Sequence, residues 1–479
     1  MSDLRRKLDK GIAYLRKNGI RAFAGRALKK AALSRKIRYE KWFAAHRLDR
    51  AALKELQETA PPLNEFVLLM RPWIEVLEEA EARFAHMAAA HPEIELWYAD
   101  HDYWLSDGKH CGLPACGPDF DEVYLDSMNY IGGAVLVSKR LIERLALTPA
   151  DVPADAEGWH DFLKRLTAEA AAVGHIPRIL TREPWNYYQE YNGQKKKKAV
   201  GKTTAGISVI IPNKDHIQEL RQCVKSVLER GGADELEILI VENNSTEAET
   251  FAYYEKLKKQ DARIRVLTWE KGFNYSAINN FAAEKAEKDL LLFLNNDTEV
   301  RDAGCLAELA ENLEKYHAAA AGARLLYKEG TIQHAGVVLG FGGSAGHAFE
   351  GFTEEAYDQI PFAHVVRQVS AVTAACLLVR KEVFLKAGGF DTALAVAYND
   401  IDFCMKLQKL KEKIIYCPEA VLYHYESATR GLELTPEKAE RIRRETALFT
   451  ERWSEEIAAG DPFYNPNLTL ETADYSLKR

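Results

Sequence analysis

From residue 207 onward, apolar runs alternate with stretches of helical spacing. EILIVENN (237–244) and IRVLTW (264–269) read as strands, and ISVIIPN (207–213) and LLLFLNND (290–297) are apolar runs that stop at polar residues. Such a run reads as a strand buried on both faces, as in a parallel sheet covered by helices. The intervening spacing predicts helices ending near 230 and 259, and another over 275–288. Repeated βα units of this size imply a parallel sheet with right-handed crossovers. Ligands of such sheets bind outside the carboxyl ends of the strands. Pro212-Asn213-Lys214, Glu242-Asn243-Asn244-Ser245 and Asn295-Asn296-Asp297 all stand at strand ends, so they converge on one rim. Helix N-termini following those strands favour anions, which suits a diphosphate. Singly, Asn244 and Ser245 read equally well as helix caps or turn residues.

At 479 residues the chain exceeds one core, and its composition is that of an ordinary globular protein. No apolar run reaches the roughly 18–20 residues a membrane span needs, and the N-terminus does not read as a signal peptide. Seven scattered cysteines suggest neither a zinc site nor a disulfide framework, and a cytoplasmic setting is expected. Charge is uneven: residues 1–50 hold 16 basic against 4 acidic side chains, and the remainder 48 against 67. Leu4, Leu8, Ile12 and Leu15 lie at helical spacing among basic residues, which suits either an interfacial helix on an anionic membrane or a solvated helix packed on the protein. Nucleic acid is not an expected partner, because the rest of the chain is acidic and no reading motif occurs. Pro61-Pro62 closes the basic region, and QKKKKAVGK (194–202) reads as a linker. Gly201-Lys202-Thr203 is not a phosphate loop: the pattern requires glycine where Lys196 stands, and should follow a strand.

ISVIIPNKD, IVENNSTEAET, FNYSAINN, LLFLNNDTEV, TIQHAGVVLG, AVTAACLLVRKEVF, AVAYNDIDFC and YHYESATRG follow in order over about 205–450. On these segments the chain resembles the inverting family-2 glycosyltransferases of GT-A fold, and more widely the bacterial enzymes of cell-surface polysaccharide assembly, including rhamnan and O-antigen synthesis. The resemblance implies an α/β fold with a Rossmann-like, mostly parallel sheet. It implies a nucleoside diphosphate sugar donor, UDP- or dTDP-linked, and a glycan or lipid-linked glycan acceptor. Asn295-Asn296-Asp297 matches the DxD position, where Asp297 would ligate Mg²⁺ or Mn²⁺, with asparagines in place of the usual acids. His424 matches a histidine that completes the metal site; a lone histidine at a strand end is otherwise structural. Glu242 takes the position that contacts the base. Pro212, Asn213, Lys214, Asn244, Asn274, Asn279, Asn280 and Asn296 fall in segments that line the donor pocket.

Asp400 matches one member of the family's catalytic acidic pair, with Asn399 in place of the first. An acceptor hydroxyl is a poor nucleophile, and a carboxylate within hydrogen-bond reach can take its proton. Asp402 is the alternative base, or a helix cap. Ala375, Cys376 and the Gly340–Gly346 stretch would border the acceptor cleft, or form a buried strand and loop without chemistry.

The later half of this pattern occurs twice. EFVLLMRPWIEV (65–76) aligns without a gap on DLLLFLNNDTEV (289–300), Ala134–Lys139 on Cys376–Lys381, and His160-Asp161-Phe162 on Ile401-Asp402-Phe403. Asp297 thereby becomes Trp73 and Asp400 becomes Trp159, and the histidine region ends near Arg182. Neither tryptophan can hold a metal or accept a proton. Asp100-His101-Asp102 falls near Tyr327 and reads as a decoy. The expected organisation is a basic helical region at 1–60, a degenerate GT-A-like half domain at 61–190 and a linker at 191–204. A catalytic domain at 205–452 and a tail at 453–479 follow. The chain would be cytoplasmic, or peripheral on the inner membrane face. Alternatives to transferase activity are a non-enzymatic nucleotide-sugar-binding scaffold and a sugar-1-phosphate nucleotidyltransferase.

Overall fold

The computed structural model describes residues 39–105, 111–192, 201–357, 360–425 and 435–478. The basic helix expected at the N-terminus, the lysine run of the linker and the part of YHYESATRG beyond Tyr425 lie outside these residues. The chain divides into two units, residues 1–117 with 131–191, and residues 118–130 with 192–478.

The described residues of unit 1 form six strands: β1 Phe66–Met70, β2 Glu75–Val76, β3 Leu96–Trp104, β4 Cys111–Ala115, β5 Ala134–Ser138 and β6 Val173–Glu183. Their order is β1-β5-β3-β6-β2, with β4 on the side of β3. Ala80, Phe84, Trp97, Leu136 and Leu180 form its core. The Trp97 indole lies so close to β6 that a Cβ on Gly174 would stand 2.5 Å from the ring, so only glycine fits there.

Unit 2 continues with β7 Ile207–Asn213, β8 Leu236–Glu242, β9 Ile264–Thr268, β10 Leu290–Leu294, β11 Thr298–Val300 and β12 Ala320–Leu326. Then follow β13 Ile332–His334, β14 Val337–Leu339, β15 Ala345–His347, β16 Arg367–Gln368, β17 Cys376–Arg380 and β18 Ile414–His424. Ten of these make one sheet ordered β11-β18-β12-β17-β10-β7-β8-β9, with β13 on β12 and β16 on β18. The path β10-β7-β8-β9 is parallel throughout. Beyond it the sheet is mixed, because β17 runs antiparallel to both β10 and β12. The helices Ile217–Arg230, Ala248–Gln260 and Tyr275–Lys285 follow β7, β8 and β9, as the spacing predicts. Every residue of β8 and β10 is buried, which is why neither segment alternates in polarity. Burying a leucine or phenylalanine contributes about 1.5–3 kcal/mol, so β10 is a firm mount for the polar residues at its end.

Residues 118–130, placed within the first domain by sequence, group with unit 2. Val123 belongs to its core, and the Asp121 carboxylate accepts from the backbone N–H and side-chain amide of Gln368 at 2.8 and 2.9 Å. Trp453, Tyr464 and Leu468, in the expected tail, are buried. Among the described residues no helix is long and apolar enough to cross a membrane.

Sheet path β1-β5-β3-β6-β2 repeats β10-β17-β12-β18-β11 strand for strand, each pair keeping its parallel or antiparallel sense. Phe66 pairs with Ser138 and Leu290 with Arg380, the register that the ungapped alignment demands. Leu96 opposes Val137 as Ala320 opposes Val379. Asp100, His101 and Asp102 therefore correspond to Arg324, Leu325 and Leu326 on β12 itself, not to the region of Tyr327 beyond it.

Candidate active site

The ends of β7, β10 and β18 meet on one rim. Asn296 donates from its side chain to Asn213 Oδ1 at 2.7 Å, tying the first strand to the turn after β10. His424, the last residue of β18, pairs with Thr298 across β11 and so stands beside that turn. Its Nε2 lies 3.1 Å from Asn295 Nδ2 and 3.3 Å from Asp297 Oδ1. Nδ1 lies 2.7 Å from Gln333 Oε1, an acceptor; in the neutral tautomer that donates to it, the Nε2 lone pair faces Asn295 and Asp297. Asp297 and His424 are only 4% and 8% exposed. One carboxylate oxygen and one imidazole nitrogen thus converge. Among the described residues no group of three or more His, Cys, Asp or Glu side chains is placed to hold a metal. This donor set fits a divalent cation that takes its remaining ligands from phosphate oxygens and water.

Asp400 sits in the first turn of the helix Asn399–Lys409. Its Oδ1 accepts from Ile401 N at 2.9 Å and its Oδ2 from Ala374 N at 2.9 Å, so two backbone N–H groups fix its direction. It lines a cavity of about 340 Å³ together with Asn295, Thr373, Ala374, Ala375, Tyr398 and His424. The helix starts sharply because Tyr398 adopts a left-handed backbone, φ 61°. Bulky residues rarely hold that conformation, and the surroundings secure it. The Tyr398 ring stacks on Phe449 at 4.7 Å, and its hydroxyl lies 3.0 Å from Ser344 Oγ. The buried Glu445 carboxylate accepts from Val396 N at 3.2 Å and Ala397 N at 2.6 Å. Glu445 and Phe449, one turn apart on the helix Pro436–Arg452, therefore buttress the loop that carries Asp400. The sequence reading missed Gln333, Tyr398, Glu445 and Phe449; the i, i+4 spacing of the last two was the available signal.

Other candidates take different places. Asp402 is fully buried and faces away from the cavity, its carboxylate held by Arg452 at 2.6 Å, Trp453 Nε1 at 3.0 Å and Lys406 at 2.8 Å. Two residues along a helix turn the side chain by about 200°, so Asp400 and Asp402 cannot share a face. Glu242 is sealed at the end of β8, accepting from Ser245 N and Oγ at 2.6 Å each and from Tyr254 at 2.7 Å. Asn244, at φ 56°, donates to Lys271 O, while Lys214 is exposed and Pro212 half-buried. Asn274 caps its helix through Ala277 N and donates to Thr392 O. Asn280 bonds both ways with the Phe390 backbone, and the buried Asn279 donates to Tyr275 O. Asn274 and Asn280 hold the helix Tyr275–Lys285 to the 390–395 loop, whereas the Asn279 bond stays within the helix. Cys376 is buried in β17, and burial pushes its thiol up to about 12. Its neighbour Ala375 accepts from Asn295 N at 3.1 Å and so fixes the β10 turn.

Residues 208–386 match the family model "Glycosyl transferase family 2". The C-terminal unit is a family-2 glycosyltransferase domain. Two relatives are 33% identical to the chain. One is the uncharacterized protein y4gI of Sinorhizobium fredii, matched over 81% of this chain and 46% of its own. The other is the O-antigen biosynthesis protein RfbC of Myxococcus xanthus, matched over 84% and 33%. The chain thus spans about half the length of one relative and a third of the other. Among solved structures, GalNAc-T7 with UDP, GalNAc and Mn²⁺ aligns at 16% identity and TM-score 0.42, over 53% of this chain and 49% of that one. The mannosyltransferase PcManGT of Pyrobaculum calidifontis, in complex with GDP-Man and Mn²⁺, aligns at 14% and 0.36, over 55% and 77%. Within the glycosyltransferase domain the family match takes in Asn213 and Asp297 but ends before Asp400 and His424. Folding brings these last two to the rim.

Proposed function

We propose that the glycosyltransferase domain moves a sugar from a nucleoside diphosphate sugar to a glycan hydroxyl with inversion, in bacterial surface polysaccharide synthesis. One observation carries this reading: Asp400 and His424 line a single cavity, and His424 Nε2 stands 3.3 Å from Asp297. Asp400, anchored by two N–H groups, takes the acceptor proton as the hydroxyl attacks the anomeric carbon. A single displacement with one base inverts that carbon. Asp297 and His424 would hold Mg²⁺ or Mn²⁺, which neutralises charge on the departing diphosphate. Gln333 keeps His424 in the tautomer whose lone pair faces that site. Asn213 and Asn296, locked together, form the floor on which the diphosphate rests.

A relative named for O-antigen biosynthesis suits a glycan acceptor, free or lipid-linked. A UDP- or dTDP-sugar is the expected donor, and the chain works in the cytoplasm or on the inner membrane face. Incubating purified protein with a panel of nucleotide sugars and Mn²⁺ tests the reading through release of nucleoside diphosphate. Release from one donor, abolished in Asp297→Ala, is the expected result. Consumption of a nucleoside triphosphate with pyrophosphate release would replace this reading with a nucleotidyltransferase.

A further inference from the structure

Unit 1 keeps a groove where unit 2 keeps its active site. The turn Arg71-Pro72-Trp73 follows β1 as Asn295-Asn296-Asp297 follows β10, and a groove of about 610 Å³ opens beside it. The turn is strapped in place from two directions. Arg71 N donates to Gly133 O at 2.8 Å, and the Tyr187 hydroxyl donates to Pro72 O at 2.8 Å. Arg71 is buried, with its guanidinium 3.6 Å from the Tyr187 ring centroid, 2.9 Å from Glu190 and 3.1 Å from Ala154 O.

Trp73 is the exception to this packing. It is 87% exposed and takes a left-handed backbone, φ 65°. Folding gains nothing from holding a bulky aromatic in that conformation with its face in water. A strained residue fixed by its neighbours at a groove points to a ligand. The groove offers an aromatic face from Trp73 and hydrogen-bonding groups from Asp155, Asn186 and Glu190. An aromatic ring sharing a groove with polar side chains matches a pyranose, whose C–H face stacks on an indole while its hydroxyls meet carboxylates and amides. A phosphate is disfavoured, because two carboxylates line the groove and the guanidinium is already paired.

We propose that this groove is a carbohydrate-binding subsite that takes a neutral sugar of a glycan chain. It rests on the glycosyltransferase reading only for its purpose, which is to hold the acceptor; the binding itself is independent of turnover.

The full chain is titrated with neutral oligosaccharides of glucose, mannose, galactose and rhamnose, followed by tryptophan fluorescence and by binding heat. At least one should bind saturably, Trp73→Ala should weaken it about tenfold, and Trp73→Tyr should retain it. Circular dichroism should be unchanged in both variants, since the side chain packs little. If none of the oligosaccharides binds, or if Trp73→Ala binds equally well, the proposal falls. It also falls if a nucleoside diphosphate displaces the sugar in Asp297→Ala, because the groove is then a nucleotide site. Nucleotide release by the unsubstituted chain is read in parallel: release without sugar binding sinks the subsite alone, and sugar binding without release sinks the transferase alone.

Discussion

Two places in this chain answer to the same point of the same sheet. In unit 2, Asp400 at the start of a helix accepts a hydrogen bond from Ala374 N. In unit 1 the aligned Trp159 donates its indole N–H to Gly132 O at 2.8 Å, and Gly132 is the residue aligned with Ala374. Each pair joins a helix start to the loop before a strand, so the architectural task is preserved. The difference lies in what is left over. A carboxylate anchored by N–H groups remains an acceptor facing a cavity, whereas the indole, fully buried, has nothing further to offer. Likewise Asp297 and His424 correspond by register to Trp73 and Glu183. A fold can therefore keep its strand order and register while the side chains at its rim differ, because backbone pairing and apolar burial carry the fold.

The sharpest way to break this comparison is by turnover. Asp400→Asn should lower nucleotide release by about 10²–10⁴-fold, the usual worth of a general base, while Trp159→Phe leaves it unchanged. Equal losses in both would show that unit 1 takes part in the chemistry. Asp402→Asn should act on stability instead. Its carboxylate is fully buried beside Arg452 and Lys406, whose side chains are 31% and 28% exposed. The loss should be about 2–4 kcal/mol in denaturant unfolding, below that of a wholly buried pair because water reaches the cations. Gln333→Ala should weaken Mn²⁺ binding about 10–100-fold in calorimetry with donor nucleotide present, since His424 loses the group that fixes its ring.

Acid should act on both units, since burial holds His334 of unit 2 well below its ordinary value just as it holds His101 of unit 1. His101 in unit 1 is fully buried, and desolvation lowers it from its ordinary 6.5 to about 4. The folded state binds fewer protons there than the unfolded one, so its contribution is full above about pH 6.5 and is lost as pH falls toward 4. His101→Leu, which copies Leu325, should flatten the pH dependence of unfolding over that window. The smallest effect belongs to Trp73→Gly. Glycine accepts φ 65° without strain, so stability should hold or rise by about 1 kcal/mol, read as a higher melting temperature.

Much of this was legible in the residues. Apolar runs marked β7 and β10, strand spacing marked β8 and β9, and the polar residues after β7, β8 and β10 marked the rim. The repeat could be read without a gap from Glu65 to Val76, because register across a buried sheet tolerates no slip. The direction of side chains could not be read. Glu242 looked like a donor contact and is locked by Ser245 and Tyr254. Asp402 read as an alternative base or a helix cap, and it is buried against Arg452, Lys406 and Trp453 instead. Gln333 carried no signal of its own, and Glu445 only its i, i+4 spacing to Phe449, since their importance comes from which ring or loop they touch. The sheet's mixed half was equally hidden, because an antiparallel insertion such as β17 is as apolar as its parallel neighbours.

The stretch Pro118–Tyr130 bears on how this protein is made. It leaves the ribosome before any of unit 2's strands, and the partner of Asp121, Gln368, follows 247 residues later. At roughly 5–20 residues per second, that is a wait of some tens of seconds. Meanwhile the flanking segments 1–117 and 131–191 have all they need to close their own sheet. The nascent chain thus carries one piece of a later body through the folding of an earlier one. A chain begun after residue 191 would carry unit 2 without Val123 and Asp121, which its core and Gln368 are packed against.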